Sequence, residues 1–356
     1  MKLRSTILKS LTSLLLSSVL VSTSANAIVI RHDVKPESYQ VGQEQYPSVV
    51  DLTFLTGTLI SPQWILTAAH GTDYMPGNQQ VIINEQKYFV KHIIEHQDYN
   101  RDNLNHDIAL LKLDRPVNNV ATTAIYTKQD EQNRHVWFVG RGLTGNGKIG
   151  VTVEDKVLRH AENNIESADG LWLTFDFDAP ENNALALEGI SGPGDSGGPA
   201  FVKTSAGYKV AGVSSHQRNN ADGEGLYGVL EYYVRTSAHQ QWIEEVINKN
   251  DKELKEIALV RPTYQPIAPT QKEINKLTGQ YKLANGTGLV IEKCEQELCY
   301  YWEDSNRKLT IKKTSDDLWF TPALNRSFRI HHKANGSISH IVIVDFDRER
   351  KLIKQG

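Results

Sequence analysis

From Tyr46 to Tyr233 the chain is a succession of short apolar runs broken by Gly, Asn and Asp, among them "GTLIS", "WILTAA", "QVIIN", "IALLKL", "HVWFVG", "LWLTFDF" and "KVAGVSS". Each run is too short for a helix of ordinary length and is rich in Val, Ile, Tyr and Phe. Such a pattern predicts the strands of an all-β barrel or sandwich. One segment departs from it. "SAHQQWIEEVINK", residues 237–249, sets Trp242, Ile243, Val246 and Ile247 on one face at helical spacing, and Ser237 is a candidate N-cap.

The stretch 250–270 is polar and carries Pro262, Pro266 and Pro269, which predicts an extended connector. Beyond it, "GLVIEK", "LCYYWE", "KLTIKK", "SFRIHH" and "ISHIVIVDF" predict a second, smaller antiparallel β domain over 271–356. A chain of 356 residues exceeds what one compact core usually holds, in keeping with two domains. Its opening residues have the layout of a secretory signal: Lys2, Arg4 and Lys9, an apolar run from Leu11 to Val21, then Ala25-Asn26-Ala27. That run falls short of the ~20 apolar residues needed to cross a bilayer. Cleavage after Ala27 would leave 28–249 as the first domain, with Ile28 at its terminus. The expectation is an exported protein, secreted or periplasmic, with no membrane span once the signal is removed.

A net charge of -3 without a Lys/Arg-rich run predicts no nucleic-acid partner. The only cysteines, Cys294 and Cys299, sit close together between two β-like runs. In an exported protein a local hairpin disulfide is their simplest reading, because two thiolates do not complete a zinc shell. His92 and His96 are four apart, but in a β-like run that spacing separates them along the strand, so no metal site is expected. "YYW", Tyr300 to Trp302, reads as core of the small domain, with a carbohydrate or peptide platform as the alternative.

"SGPGDSGGPAF", Ser191 to Phe201, places a serine among glycines, where the backbone turns sharply and brings amides close to a bound oxygen. A serine nucleophile needs a base, and the base needs a group to hold its tautomer. "WILTAAHG" supplies His70 and "NHDIALLKL" supplies Asp107. Alone, each is an ordinary structural residue. In the order His70, Asp107, Ser196, separated by 37 and 89 residues, they reinforce one another.

In this combination the chain resembles a trypsin/chymotrypsin-fold serine peptidase, from about Ile28 to Lys249. The resemblance implies two six-stranded antiparallel β-barrels closed by a C-terminal helix. It implies that His70 is the general base, Asp107 its orienting partner and Ser196 the nucleophile, with Gly194 and Ser196 giving the oxyanion-hole amides. "VGRGLT", Val139 to Thr144, matches the strand beside that hole, and "VAGVSSH" the strand that pairs with substrate, with Ser214 placed to support Asp107. Ile190 stands at the implied pocket floor, where trypsins have Asp, and Ser191, Ser214, Ser215, His216 and Gly225 are assigned to its walls and rim. Selection for Lys or Arg is therefore not expected; a small apolar side chain comes first and an acidic one second. Protein or peptide substrates are implied, and no cofactor or metal.

In the family, a free terminal Ile inserts its ammonium beside the Asp that precedes the nucleophile. Ile28 and Asp195 occupy those places here, so removal of the signal would itself create the activating terminus. Gly71 and Gly192 stand where many members carry cysteines, so the peptidase domain is expected to lack disulfides. The competing reading is a catalytically inactive binding protein on the same fold, presenting its C-terminal domain. An intact triad argues against it. The sequence names no ligand for that domain.

Overall fold

The computed structural model describes residues 28–218, 223–295, 297–305, 307–345 and 348–355. The signal expected over 1–27 lies outside them. Six strands form the first sheet, in the spatial order Val49–Asp51, Thr56–Ser61, Trp64–Thr67, Ala109–Leu113, Gln86–Glu95, Gln80–Ile83. All neighbours are antiparallel. The sheet curls around Leu59, Ile65, Val90, Leu111 and Leu113, all buried. Thr56–Ser61 and Trp64–Thr67 are covered on both faces, which is why they read as continuous apolar runs and not as alternation.

The second half is a seven-stranded sheet in the order Arg159–Asn164, His135–Gly140, Pro199–Thr204, Gly207–Arg218, Leu230–Arg235, Trp172–Asp176, Ser167–Asp169. Phe138, Phe175 and Tyr233 fill it, with Phe138 and Tyr233 stacked at 4.8 Å between centroids. A smaller sheet joins Gly150–Glu154, Leu143–Asn146, Ile28–Ile30 and Gly189–Ile190. Through it the first described residues are buried between a parallel and an antiparallel neighbour. The all-β, barrel-like architecture expected from the sequence is thus present, and a helix follows it.

That helix is tightened at its start: Ser237–His239 is a 3-10 turn and the α-helix runs Gln240–Ile247. Trp242, Ile243 and Val246 are buried, as their spacing predicts. Ser237 is not the cap. Its hydroxyl donates to the buried Glu131 carboxylate, which is also held by Arg235 at 2.7 and 3.0 Å.

The polar stretch that follows is attached along its length. Asn250 caps a second short helix, Asp251–Ile257, in a reciprocal capping box with Glu253. Leu254 of that helix is completely buried in the core between the sheets. Lys91 and Lys112 both reach Asp251. Leu259 then donates its amide to Ile93 O at 2.9 Å, and Arg261 reaches Thr72 O at 3.3 Å.

After helix Gln271–Leu277, eight strands from Gly279–Lys282 to Arg348–Lys354 run up and down in sequence order and close through the pairing of Tyr281 with Lys354. Tyr281, Tyr300, Phe328, Ile341 and Leu352 fill the interior, and Leu277 joins them from the helix. The expected disulfide is not formed: Cys294 and Cys299 are both free thiols. The ladder sets Cys294 opposite Glu297 and Cys299 opposite Glu292, so the two are diagonal neighbours, and burial together with the adjacent Cys294 thiol pushes the Cys299 thiol up to about 12.

Candidate active site

Strand Trp64–Thr67 runs into the single helical turn Ala69–Thr72, which carries His70. Thr67 pairs with Ala109 of the neighbouring strand, so Asp107, just before that strand, falls beside the imidazole. The His70 amide donates to Asp107 Oδ1 at 2.7 Å, and His70 Nδ1 lies 2.7 Å from Oδ2. A carboxylate can only accept, so Nδ1 holds the hydrogen and the neutral ring keeps Nε2 as its acceptor.

Asp107 is completely buried. Burial works against its charge, but His70 and the hydrogen bonds from His70 and Ser215 outweigh it and hold its pKa below the usual value. Burial equally opposes the imidazolium of His70; the Asp107 carboxylate overrides it, and the His70 pKa is raised. The supporting serine differs from expectation. Ser215 Oγ donates to Asp107 Oδ2 at 2.6 Å, whereas Ser214 Oγ meets Ser191 Oγ at 3.0 Å. A register shift between Ser214 and His216 turns the side chains here off simple alternation.

The Ser196 loop is built on backbone that few residues adopt. Gly194 has φ +96° and Gly197 φ +80°, and a Cβ on Gly197 would sit 2.4 Å from Thr56 O. Among the described residues the amides of Gly194 and Ser196 have no intramolecular acceptor. Asp195 points inward, accepting from Gly142 N at 2.6 Å and Gly192 N at 2.9 Å, and from the Ile28 amide. Burial still pushes its pKa up to about 6.

Ser196 and His70 border the same two clefts. No hydrogen bond within 3.5 Å joins their side chains among the described residues. Catalytic bonds of unliganded sites are commonly long and tighten on binding.

The first cleft, about 350 Å³, is bordered by Ser191, Ser214, Ser215 and His216. Ile190 lies elsewhere, fully buried against Val29, Phe177 and Val229, because its strand pairs with Ile28–Ile30. Gly225 does not border the cleft but donates its amide to Gln217 Oε1 at 3.1 Å. Lining residues that escaped the sequence reading include Gln217, Glu224 and Glu231. Gln217 reaches Ser191 O at 2.8 Å, and Glu231, completely buried, accepts from the Ser191 amide at 3.1 Å and from its hydroxyl. Burial pushes the Glu231 carboxyl up to about 8. Only the alternation of strand Leu230–Arg235, with Tyr233 and Glu231 facing the same side, could have signalled it.

Behind Asp107, His96, His106 and His239 bring ligand-type nitrogens within 4.8 Å of one another, the one such three-residue group among the described residues. His239 Nδ1 donates to Arg235 O at 2.8 Å, which leaves Nε2 to accept from His106 Nδ1 at 3.0 Å. Burial, with the neighbouring imidazoles, lowers His96 to about 4, and burial also lowers His239. Burial thus favours neutral rings at His96 and His239, and the His106–His239 hydrogen bond braces the loop that delivers Asp107. His92 is not part of the group.

The family model described as Trypsin matches residues 35–243. Similar proteins include chymotrypsin-like elastase family member 1 of Homo sapiens, 27% identical over 242 residues covering 59% of this chain and 91% of that protein. Its counterparts in Macaca fascicularis (26%, with 59% and 88% covered) and Rattus norvegicus (27%, with 58% and 86% covered) are similar to the same extent. By sequence match and by architecture, the chain belongs to the trypsin family of serine peptidases.

Proposed function

We propose that this chain is an exported endopeptidase that hydrolyses peptide bonds through an acyl-enzyme on Ser196. The observation that carries the reading is the buried Asp107 fixed on His70 at 2.7 Å, with His70 and Ser196 together at the junction of two clefts. In it, His70 Nε2 takes the hydroxyl proton as Ser196 Oγ attacks the carbonyl carbon, and returns it to the leaving amine. Asp107 holds the tautomer and stabilises the imidazolium, and the amides of Gly194 and Ser196 receive the oxyanion. Water then repeats the sequence on the ester. A serine-directed phosphonate should label the protein stoichiometrically and fail to label Ser196→Ala; labelling that persists in that variant would sink the reading.

The same proposal includes activation by cleavage after Ala27. Ile28 is a β-branched residue at φ +62°, a conformation that costs on the order of 1–3 kcal/mol. Its amide already lies on Asp195. Cleavage before it would abolish that torsion and put an ammonium beside the buried Asp195 carboxylate. For the acyl side, a small uncharged residue suits the hydroxyl-lined cleft, while the exposed Glu224 on its lining disfavours an acidic one.

A further inference from the structure

The second cleft that meets Ser196 and His70 has walls from both domains. On one side are Phe54, Leu55 and Tyr74 of the peptidase domain; on the other are Trp302, Leu309 and Leu324 of the C-terminal barrel. The volume is about 350 Å³, enough for a large side chain. The barrel is fastened directly at its rim. Arg307 donates to Thr53 O at 3.0 Å and lies over the Phe54 ring at 3.7 Å from its centroid. Asn325 donates its amide to Tyr74 O at 2.7 Å and its side chain to Asp73 O at 3.1 Å. These bonds hold the barrel against the loops that flank the catalytic turn. Tyr74, despite its apolar ring, is left half exposed there.

We infer that the C-terminal barrel is one wall of the substrate cleft, and that the pocket it forms with Phe54, Leu55 and Tyr74 takes an aromatic or large aliphatic side chain immediately after the scissile bond. The inference rests on the peptidase reading above. The two clefts share His70 and Ser196 and no other residue, so a chain bound across Ser196 sends its acyl part into one and its leaving part into the other. The cleft that contains Ser191, Gly194 and Ser214 belongs to the acyl side, since the acyl carbonyl must face the oxyanion donors. The leaving amine therefore enters the apolar cleft. Trp302 is held for this role: Arg350 covers its ring at 4.8 Å, and Tyr300, two residues earlier on the same strand, is anchored by Arg326 at 2.8 Å. The aromatic run that reads as core in sequence thus serves both, Tyr300 inside the barrel and Trp302 at its edge.

Acyl transfer in the full-length protein tests this without altering any residue. The enzyme is acylated with a peptide thioester and offered phenylalaninamide or glycinamide in competition with water. The amine nitrogen attacks the acyl carbon, the bond to Ser196 Oγ breaks, and the amine proton passes through His70 to the serine oxygen. Phenylalaninamide should be captured about ten- to a hundredfold better than glycinamide, the range a hydrophobic pocket can discriminate. In Trp302→Ala and Leu324→Ser that ratio should collapse toward one; as a ratio it is independent of the fraction of active protein. Equal capture by the wild-type protein, or a ratio unchanged in both variants, would overturn the inference while thioester hydrolysis still upheld the peptidase. Absence of hydrolysis and of phosphonate labelling would instead bring down the peptidase reading itself, and this inference with it.

Discussion

Ser215 Oγ lies 2.6 Å from Asp107 Oδ2, on the same carboxylate oxygen that His70 Nδ1 approaches at 2.7 Å. Two donors on one oxygen keep the charge in place and fix the carboxylate plane. A hydrogen bond to a charged group contributes about 1.5–3 kcal/mol. Ser215→Ala should therefore lower kcat/KM roughly tenfold or more, while Ser214→Ala, whose hydroxyl meets Ser191 and Tyr233 and not Asp107, should cost less. Steady-state kinetics on one small peptide substrate ranks the two; the reverse order would mean that Ser214, and not Ser215, supports the Asp107 carboxylate.

The acid limb of activity belongs to His70, which must be neutral to accept a proton. Because Asp107 raises its pKa, the limb should have its midpoint above 6.5, with activity lost as pH falls through it. Asp107→Asn removes the carboxylate and should move that midpoint down, with kcat reduced by about 10⁴. A pH–rate profile unaltered by the substitution would contradict the arrangement.

Glu231 gives a second titration, at about 8. Below that value its carboxyl is neutral in the fold but ionised in the unfolded chain above about 4.5. Unfolding then releases a proton, so stability should fall as pH rises between about 4.5 and 8. Thermal melts of Glu231→Gln should show a shallower fall across this window. Ionisation should also shift acyl-side preference toward Lys and Arg as pH passes 8, which a peptide library read at pH 6.5 and 9 would reveal; an equal profile at both values would exclude Glu231 as a determinant.

The mature protein should begin Ile-Val-Ile-Arg, and one extra residue before Ile28 should abolish most activity. Asp195→Asn should do the same, because a buried charge stripped of its partner costs about 3–5 kcal/mol. Pairing with Asp195 should raise the pKa of the Ile28 ammonium above ~8, so the active form should be lost as pH climbs through that raised value. N-terminal sequencing and active-site titration check both.

Leu254 ties the second helix to the core between the sheets. Leu254→Ala should destabilise the peptidase domain by about 2–5 kcal/mol, measurable as a lowered melting midpoint; no change would mean that the helix is not integral to that core.

Much of this was legible because the residues concerned sit in contiguous strings. "TAAH", "DIALLKL" and "GDSGGP" each set one side chain in a fixed backbone, and the His70–Asp107 contact then follows from one strand pairing. What stayed hidden depends on pairings between distant segments. Glu231 enters the cleft from a strand 35 residues beyond Ser196. Ser215 replaces Ser214 through a register shift that leaves no mark in composition. Nor does strand alternation within the last domain reveal that its outer edge lies against Tyr74.

The eight C-terminal strands each join the strand before them, with one long-range seam between Tyr281 and Lys354. In the peptidase unit, by contrast, Val29 must find Ile190, and Ile28 must find Thr144. Entropy of loop closure makes distant pairings late events. On refolding of the complete chain the C-terminal barrel should therefore close before Ile28–Ile30 finds its neighbours, which makes the strand beside Asp195 the last to dock.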